Sequence, residues 1–184
     1  MAETYSFFNS AEGDIREYQA SEFAKYFSKF LSDGVFSEDE IMGLNVETVS
    51  GLDIKAGTGF AYVRGYLYEN DADISFTLDS ADNVLDRIDR VVLKLDIVNR
   101  TMNVKLKKGG LGSTPTPPAL VDDANIKELP IAQIRINKNA ATGIIKDERT
   151  PVRSATKPPG VQIYSSGVEP QNMIMGDIWL KELV

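Results

Sequence analysis

From Gly43 onward the apolar residues of this chain recur at every second position, a period that strands satisfy and helices do not. The stretch Leu44–Gly57 reads as one or two short strands, and Gly59–Asn70 continues the pattern, with Arg64-Gly65 as a turn or bulge. Ile74, Phe76 and Leu78 alternate with Ser75 and Thr77, which places a strand over 73–79. The clearest alternation runs from Arg87 to Ile97, where Val91, Leu93, Leu95 and Ile97 share one face. Val98–Thr101 then turns the chain into Met102, Val104 and Leu106, completing a hairpin. A Gly- and Pro-rich loop over 108–118 separates this pair from a strand over 127–137 carrying Leu129, Ile131, Ile134 and Ile136. Ile144 and Ile145 open the last strand of the unit. The expected fold is mainly β, with a sandwich-like or barrel-like body over 43–149.

Ahead of that body the period changes. Phe23, Phe27, Phe30 and Leu31 fall at i, i+4, i+7 and i+8, flanked by Tyr26, and predict one helix over 19–33. Ser21 and Glu22 suit its start, and Gly34 suits a left-handed stop. Residues 1–14 add Tyr5, Phe7 and Phe8. An aromatic terminus of this kind either packs on its own domain or inserts into a neighbour. Residues 1–42 are therefore read as a docking segment, with Phe7, Phe8, Phe23, Phe27 and Phe30 serving docking or core. After Asp147 the composition shifts again: Arg149–Arg153 and Lys157–Gly160 hold prolines that suit a linker. Val161–Tyr164 and Gly176–Lys181 read as a short attachment hairpin, so that 150–184 forms a third segment. Such a hairpin is marginal in water by itself and is expected to rest on its own body or on another subunit.

The chain has 184 residues, 42% of them hydrophobic and 26% charged, enough to bury a core without disulfides or metal. It contains neither Cys nor His. Thiolate catalysis, imidazole acid–base chemistry and the usual zinc sites are thereby removed. No Gly-x-Ser-x-Gly elbow or phosphate-binding Gly-rich loop is present, and no carboxylate pair stands out among many. The expectation is a protein that is not an enzyme and uses no cofactor. A net charge of −7 disfavours nucleic acid and anionic lipid as partners. The basic cluster Lys105, Lys107 and Lys108 reads as a solvated edge strand. The start lacks the pattern of a signal peptide, and no run is long enough to span a membrane, so synthesis in the cytoplasm is expected.

Three further clusters carry weight. Asp79, Asp82, Asp86 and Asp89 are spaced near three residues apart without a central Gly, which fits a solvated loop and not a calcium loop. Glu69, Asp71 and Asp73 alternate beside a turn. Asp86-Arg87-Ile88-Asp89-Arg90 holds two acid–base pairs, and either these bridge neighbouring strands and loops or Asp89 and Arg90 sit at a subunit interface. Tyr62, Tyr66 and Tyr68 lie close to Phe60. Cross-strand packing is one reading of them; stacking on a sugar, as in a carbohydrate-recognising receptor-binding module, is the other.

Read together, Phe7–Asp14, Phe23–Phe36, Gly59–Asp71 and Leu85–Asp96 resemble, in order and spacing, a family of tail-tip or baseplate proteins from phages and prophages of Gram-positive bacteria. The likeness covers about residues 5–150. It implies a virion structural protein in the tail, whose N-terminal module docks on the central tail hub. It also implies a homo-oligomer, commonly a trimer, in contact with other tail and baseplate proteins. In longer relatives a receptor-binding region follows. Here the chain stops soon after Gly176–Lys181, a stretch similar to segments at joints of tail fibres, which favours an adaptor and marks Trp179 as an attachment point.

Overall fold

The computed structural model describes residues 3 and 5–153, together with the backbone of 163–166 and 178–181. Helix α1 (Ala20–Phe27) is followed by β1 (Gly34–Val35), β2 (Ser37–Glu38), β3 (Ile41–Met42), β4 (Val46–Ser50), β5 (Asp53–Ala56), β6 (Gly59–Val63), β7 (Tyr66–Asn70) and β8 (Ile74–Thr77). Then come β9 (Asp86–Asp96), β10 (Thr101–Lys107), β11 (Leu111–Gly112), β12 (Ile126–Ile136), β13 (Ile144–Asp147), β14 (Ile163–Ser166) and β15 (Ile178–Lys181). The protein is mainly β with one short helix, as the alternation predicts.

The largest sheet has the order β10-β9-β12-β13, with β11 continuing the β10 side along β9; two smaller sheets run β1-β6-β7 and β4-β5-β8. Their inward residues meet in one core that includes Val35, Leu44, Ile54, Val63, Leu93 and Ile134. Strand β9 is central and is buried on both faces through Asp89–Leu93. On β12 the inward side chains change parity: Leu129 and Ile131 are odd, Ile134 and Ile136 even. A register shift between Pro130 and Ala132 absorbs the extra residue, and it also lets a proline sit within a central strand. Ile97, expected to end the β9 face, lies beyond the strand and is partly exposed.

The β6–β7 connection is a two-residue turn in which Arg64 and Gly65 both have positive φ, 49° and 89°. That turn matches the twist of the flanking strands. It also seats the helix: a Cβ at Gly65 would lie 1.9 Å from the Ala24 carbonyl oxygen, and Ala24 is the buried residue of α1.

Several sequence expectations are corrected. The helix ends at Phe27 and not near 33; its C-cap Ser28 is followed by tighter turns, with the Phe30 N–H donating to the Phe27 carbonyl at 2.9 Å. The aromatic stripe past Phe27 covers no core, so nothing stabilises a further helical turn. Gly34 is not a left-handed stop but part of β1, which pairs with β6. The boundaries expected at 42 and 149 are crossed by hydrogen bonds: Val35 N–H donates to Thr150 O at 2.8 Å and Val152 N–H to Val35 O at 3.0 Å. Gly34 is needed here, because its Cβ would stand 2.6 Å from Val152 N and 2.7 Å from the Pro151 carbonyl carbon. Finally, β14 and β15 pair in parallel, Tyr164 opposite Trp179, so the C-terminal pair is not a hairpin; parallel strands need a crossover between them. The side chain of Trp179 lies outside the described residues.

Two outcomes test this architecture. Gly34→Val must part β1 from 150–152, so denaturant unfolding should show a loss of about 1–3 kcal/mol with faster exchange of the Val152 amide. At the β9–β10 turn, Asp96 accepts the Asn99 backbone N–H at 2.9 Å, the Asn99 side-chain amide at 3.1 Å and Lys94 Nζ at 3.1 Å. These donors, the Asn99 backbone first, hold its carboxyl down to about 2. A lowered folded value means stability that is complete above the ordinary carboxylate range near 4 and is lost as pH falls towards 2. Acid titration of unfolding should therefore steepen in that window, and Asp96→Asn should remove part of the slope.

Candidate docking surface

The N-terminal segment builds its surface around one ring. Phe7, at a positive φ of 70°, places its side chain against Tyr18, Phe23 and Tyr26, with ring centroids 5.2, 5.0 and 5.2 Å away. Tyr26 in turn meets Phe27 and Phe30 edge-on at 5.7 and 5.0 Å. Tyr5 packs on Phe8 at 5.8 Å and lies under the Arg16 guanidinium, 5.7 Å from its centroid. Polar contacts hold the segment in place: Ser6 Oγ donates to Glu22 Oε1 at 3.1 Å, and the Phe8 N–H donates to Tyr18 Oη at 2.6 Å. Glu22 also closes a capping box with Gln19. Asp14 accepts from the Arg16 guanidinium and raises its pKa above the ordinary value.

These rings touch one another yet remain open to water. Phe8 is 60% exposed, and Phe23, Tyr26, Phe27 and Phe30 are 44–48% exposed. The stripe of Phe23, Phe27 and Phe30 is thus a surface and not core; only Ala24 of the helix faces inward. A contiguous aromatic patch on this scale marks an interaction site, since single exposed apolar residues are ordinary but clusters are not. Lys25 and Lys29 flank the stripe, and among the described residues neither makes an ion pair.

The other expected site residues lie elsewhere. Asp89 and Arg90 are 1% and 9% exposed, so they present no docking surface. Asp89 accepts Arg87 Nε at 3.1 Å and the Gly109 N–H at 2.8 Å, while Arg90 grips both oxygens of Glu148 at 2.8 and 3.0 Å. Their charges are consumed inside the body, tying β9 to loops and to residue 148. Asp79 pairs with Lys108, Asp82 accepts the Val84 and Leu85 N–H groups, and Asp86 binds Arg135 and the Lys138 N–H. Each acid of that cluster thus has a protein donor. Asp73 shares Lys55 with Glu47, which raises that ammonium above its ordinary value. Lys105 is exposed on the edge strand β10, whereas Lys107 turns back to Glu128 at 2.5 Å.

Tyr62 is buried, 6% exposed, with its ring edge-on to Phe36 at 6.4 Å, so it offers no face to a sugar. Among the described residues its hydroxyl has no hydrogen-bond partner, and burial, with Asp33 nearby, raises its titration above the ordinary value. Tyr66 and Tyr68 are half-buried against the core; the residues β7 presents outward are Leu67 and Glu69. A buried hydroxyl without a partner carries a desolvation cost that Phe lacks. Tyr62→Phe should leave the thermal midpoint unchanged or raise it, and a drop of several degrees in calorimetry would reveal a hydrogen bond to that hydroxyl.

The sequence pattern identified the aromatic residues but not their exposure, because a stripe at helical spacing looks the same whether it faces a core or a partner. Sequence reasoning missed the role of Tyr18 and Arg16 in holding Phe7 and Tyr5; a Tyr and an Arg just ahead of a helix carry no local signal for it. Among the described residues no helix is long and apolar enough to cross a membrane. No protein-family model matches the chain, and no curated protein matches it.

Proposed function

We propose that this protein is a structural adaptor of a phage tail tip or baseplate, which works by assembly and not by catalysis. Its N-terminal segment docks on neighbouring tail proteins, its β body serves as a rigid platform, and residues beyond 153 hold distal adsorption components through the stretch around Trp179. The virion word rests on the likeness of Phe7–Asp14, Phe23–Phe36, Gly59–Asp71 and Leu85–Asp96 to tail-tip and baseplate proteins.

The observation that carries the docking role is the aromatic face itself. Phe7 organises Tyr18, Phe23 and Tyr26 into a preformed patch, so a partner would meet rings already fixed in position. Preorganisation of that kind lowers the entropic cost of association. Buried aromatic anchors supply most of the energy in typical interfaces. The body behind the patch is held by a continuous core and by buried charge pairs, as a platform requires.

Deleting residues 1–14 removes Tyr5, Phe7 and Phe8 without touching any core residue of the β body. The truncated chain should keep its β-type circular dichroism and its cooperative unfolding. In a phage complementation assay it should be missing from assembled tails, where the full-length chain is present. Normal incorporation of the truncated chain would refute docking through this segment. Absence of the full-length chain from tail particles would refute the adaptor role as a whole.

A further inference from the structure

Beside the β2–β3 hairpin the body carries an open cleft of about 460 Å³ whose character is opposite to that of the helix. Phe36, Ile41, Met42 and Phe60 supply apolar surface, and Glu38 and Asp39 supply charge. From residue 30 to residue 54 the chain has no Lys or Arg. Glu38 and Asp39 are exposed, and among the described residues neither makes an ion pair. Ile41, at the hairpin tip, is 75% exposed.

The floor of this cleft is rigid. Gly43 and Gly59 cross so closely that a Cβ on Gly59 would lie 2.6 Å from the Gly43 Cα. Backbone bonds from Gly43 N–H to Phe36 O, Phe36 N–H to Phe60 O and Leu44 N–H to Thr58 O fix the surrounding chain at 3.1, 2.9 and 2.8 Å. The tip is a two-residue turn with Asp39 and Glu40 both at positive φ, 49° and 68°, which holds the hairpin upright.

We infer that α1 of one copy docks in the cleft beside the β2–β3 hairpin of a second copy. Helix α1 presents Phe23 and Phe27 at i and i+4 with Tyr26 beside them, the spacing with which amphipathic helices fill apolar grooves, and the turn that follows the helix adds Phe30, whose ring meets Tyr26 at 5.0 Å. Lys25, in the last turn of α1, and Lys29, in the turn that follows it, meet Glu38 and Asp39 at the rim. Both surfaces are exposed in the single chain, one cationic and aromatic, the other acidic and apolar. Two different patches on one molecule satisfy each other either by reciprocal exchange in a twofold dimer or by head-to-tail closure of a ring. Charge complementarity sets the register, and the rings supply the affinity.

The inference deepens the adaptor reading and rests on it only in treating the aromatic face as a docking surface. It is measured on the purified full-length chain by size-exclusion chromatography with light scattering over a concentration series. The unmodified chain should have a mass of at least twice 20.3 kDa. Lys25→Glu with Lys29→Glu should weaken association at least tenfold, and so should Glu38→Lys with Asp39→Asn, the Asn tolerating the left-handed backbone there. Combining the two pairs should restore association, a result that misfolding of either variant cannot imitate. A chain that is monomeric throughout, an oligomer indifferent to Lys25→Glu with Lys29→Glu, or a combined variant that stays monomeric would each overturn the contact. A monomer that still enters tail particles would overturn it while sparing the adaptor role.

Discussion

The body depends on how strand β9 handles charge. Arg87 and Asp89 lie on the same face as Val91 and Leu93, inside the core, where ions without partners are very costly. Arg87 donates to Asp89 and to the backbone oxygens of Ser80 and Asp79, and Asp89 in turn holds the Gly109 N–H. The approach at Gly109 leaves no room for a side chain, since its Cβ would stand 2.0 Å from Ile88 O. On the opposite face Arg90 clamps Glu148 and the Pro118 carbonyl, and Glu148 also receives Gln133. A hydrophobic strand could match the stability of such pairs. What the charges add is position: the loop before β9 at 79–80, the long loop at 109 and 118, and the chain at 148 are each attached at a defined point to one strand.

That rigidity explains why the two ends of the molecule obey different rules. In the body most large aliphatic side chains on β9 and β12 are buried, Ile88 and Ile126 only in part, and exposure falls to zero at Val91, Val92, Leu93 and Ile134. In the N-terminal segment the apolar groups are rings that pack pairwise and leave their outer faces wet. The segment is joined to the body by few contacts, chiefly Ala24 over Gly65 and the Arg64 N–H donated to Asp33 at 2.7 Å. Apolar surface that a stable body does not claim is surface for something else to cover.

Strand positions were legible because the period of two is imposed by the core itself: β5, β7, β8 and β10 show the alternation, while β6 and the middle of β9 are buried at successive residues. Even the irregularity on β12 is written in the chain, in the change from Leu129 and Ile131 to Ile134 and Ile136. The helix was over-extended because Phe30 and Leu31 continue its stripe, and periodicity does not say whether a stripe is buried. Asp89 and Arg90 were recognised as a charged constellation, but their acceptors lie at residues 79–80, 118 and 148. No local pattern announces partners that distant in sequence. The cleft at Phe36 and Phe60 was equally hidden, since it exists only where β1 brings residue 36 alongside residue 60.

The same β1 governs how the ends relate. Ser32 N–H donates to Arg153 O at 2.8 Å, and the Arg153 N–H returns to Ser32 Oγ at 3.0 Å. The chain therefore enters the body from the aromatic segment and leaves it toward the C-terminal stretch at one place. The two chain segments thus leave the body side by side and not from opposite tips. A pull between residues before 32 and residues after 153 loads these hydrogen bonds and the Val35 ladder first, and reaches the β9 core only once they have parted. The Gly34 crossing, too tight for any side chain, is what lets residues 150–152 bridge to β1. Tension applied between residues 32 and 153 would therefore be borne first by a handful of backbone bonds beside a glycine, and not by the β9 core.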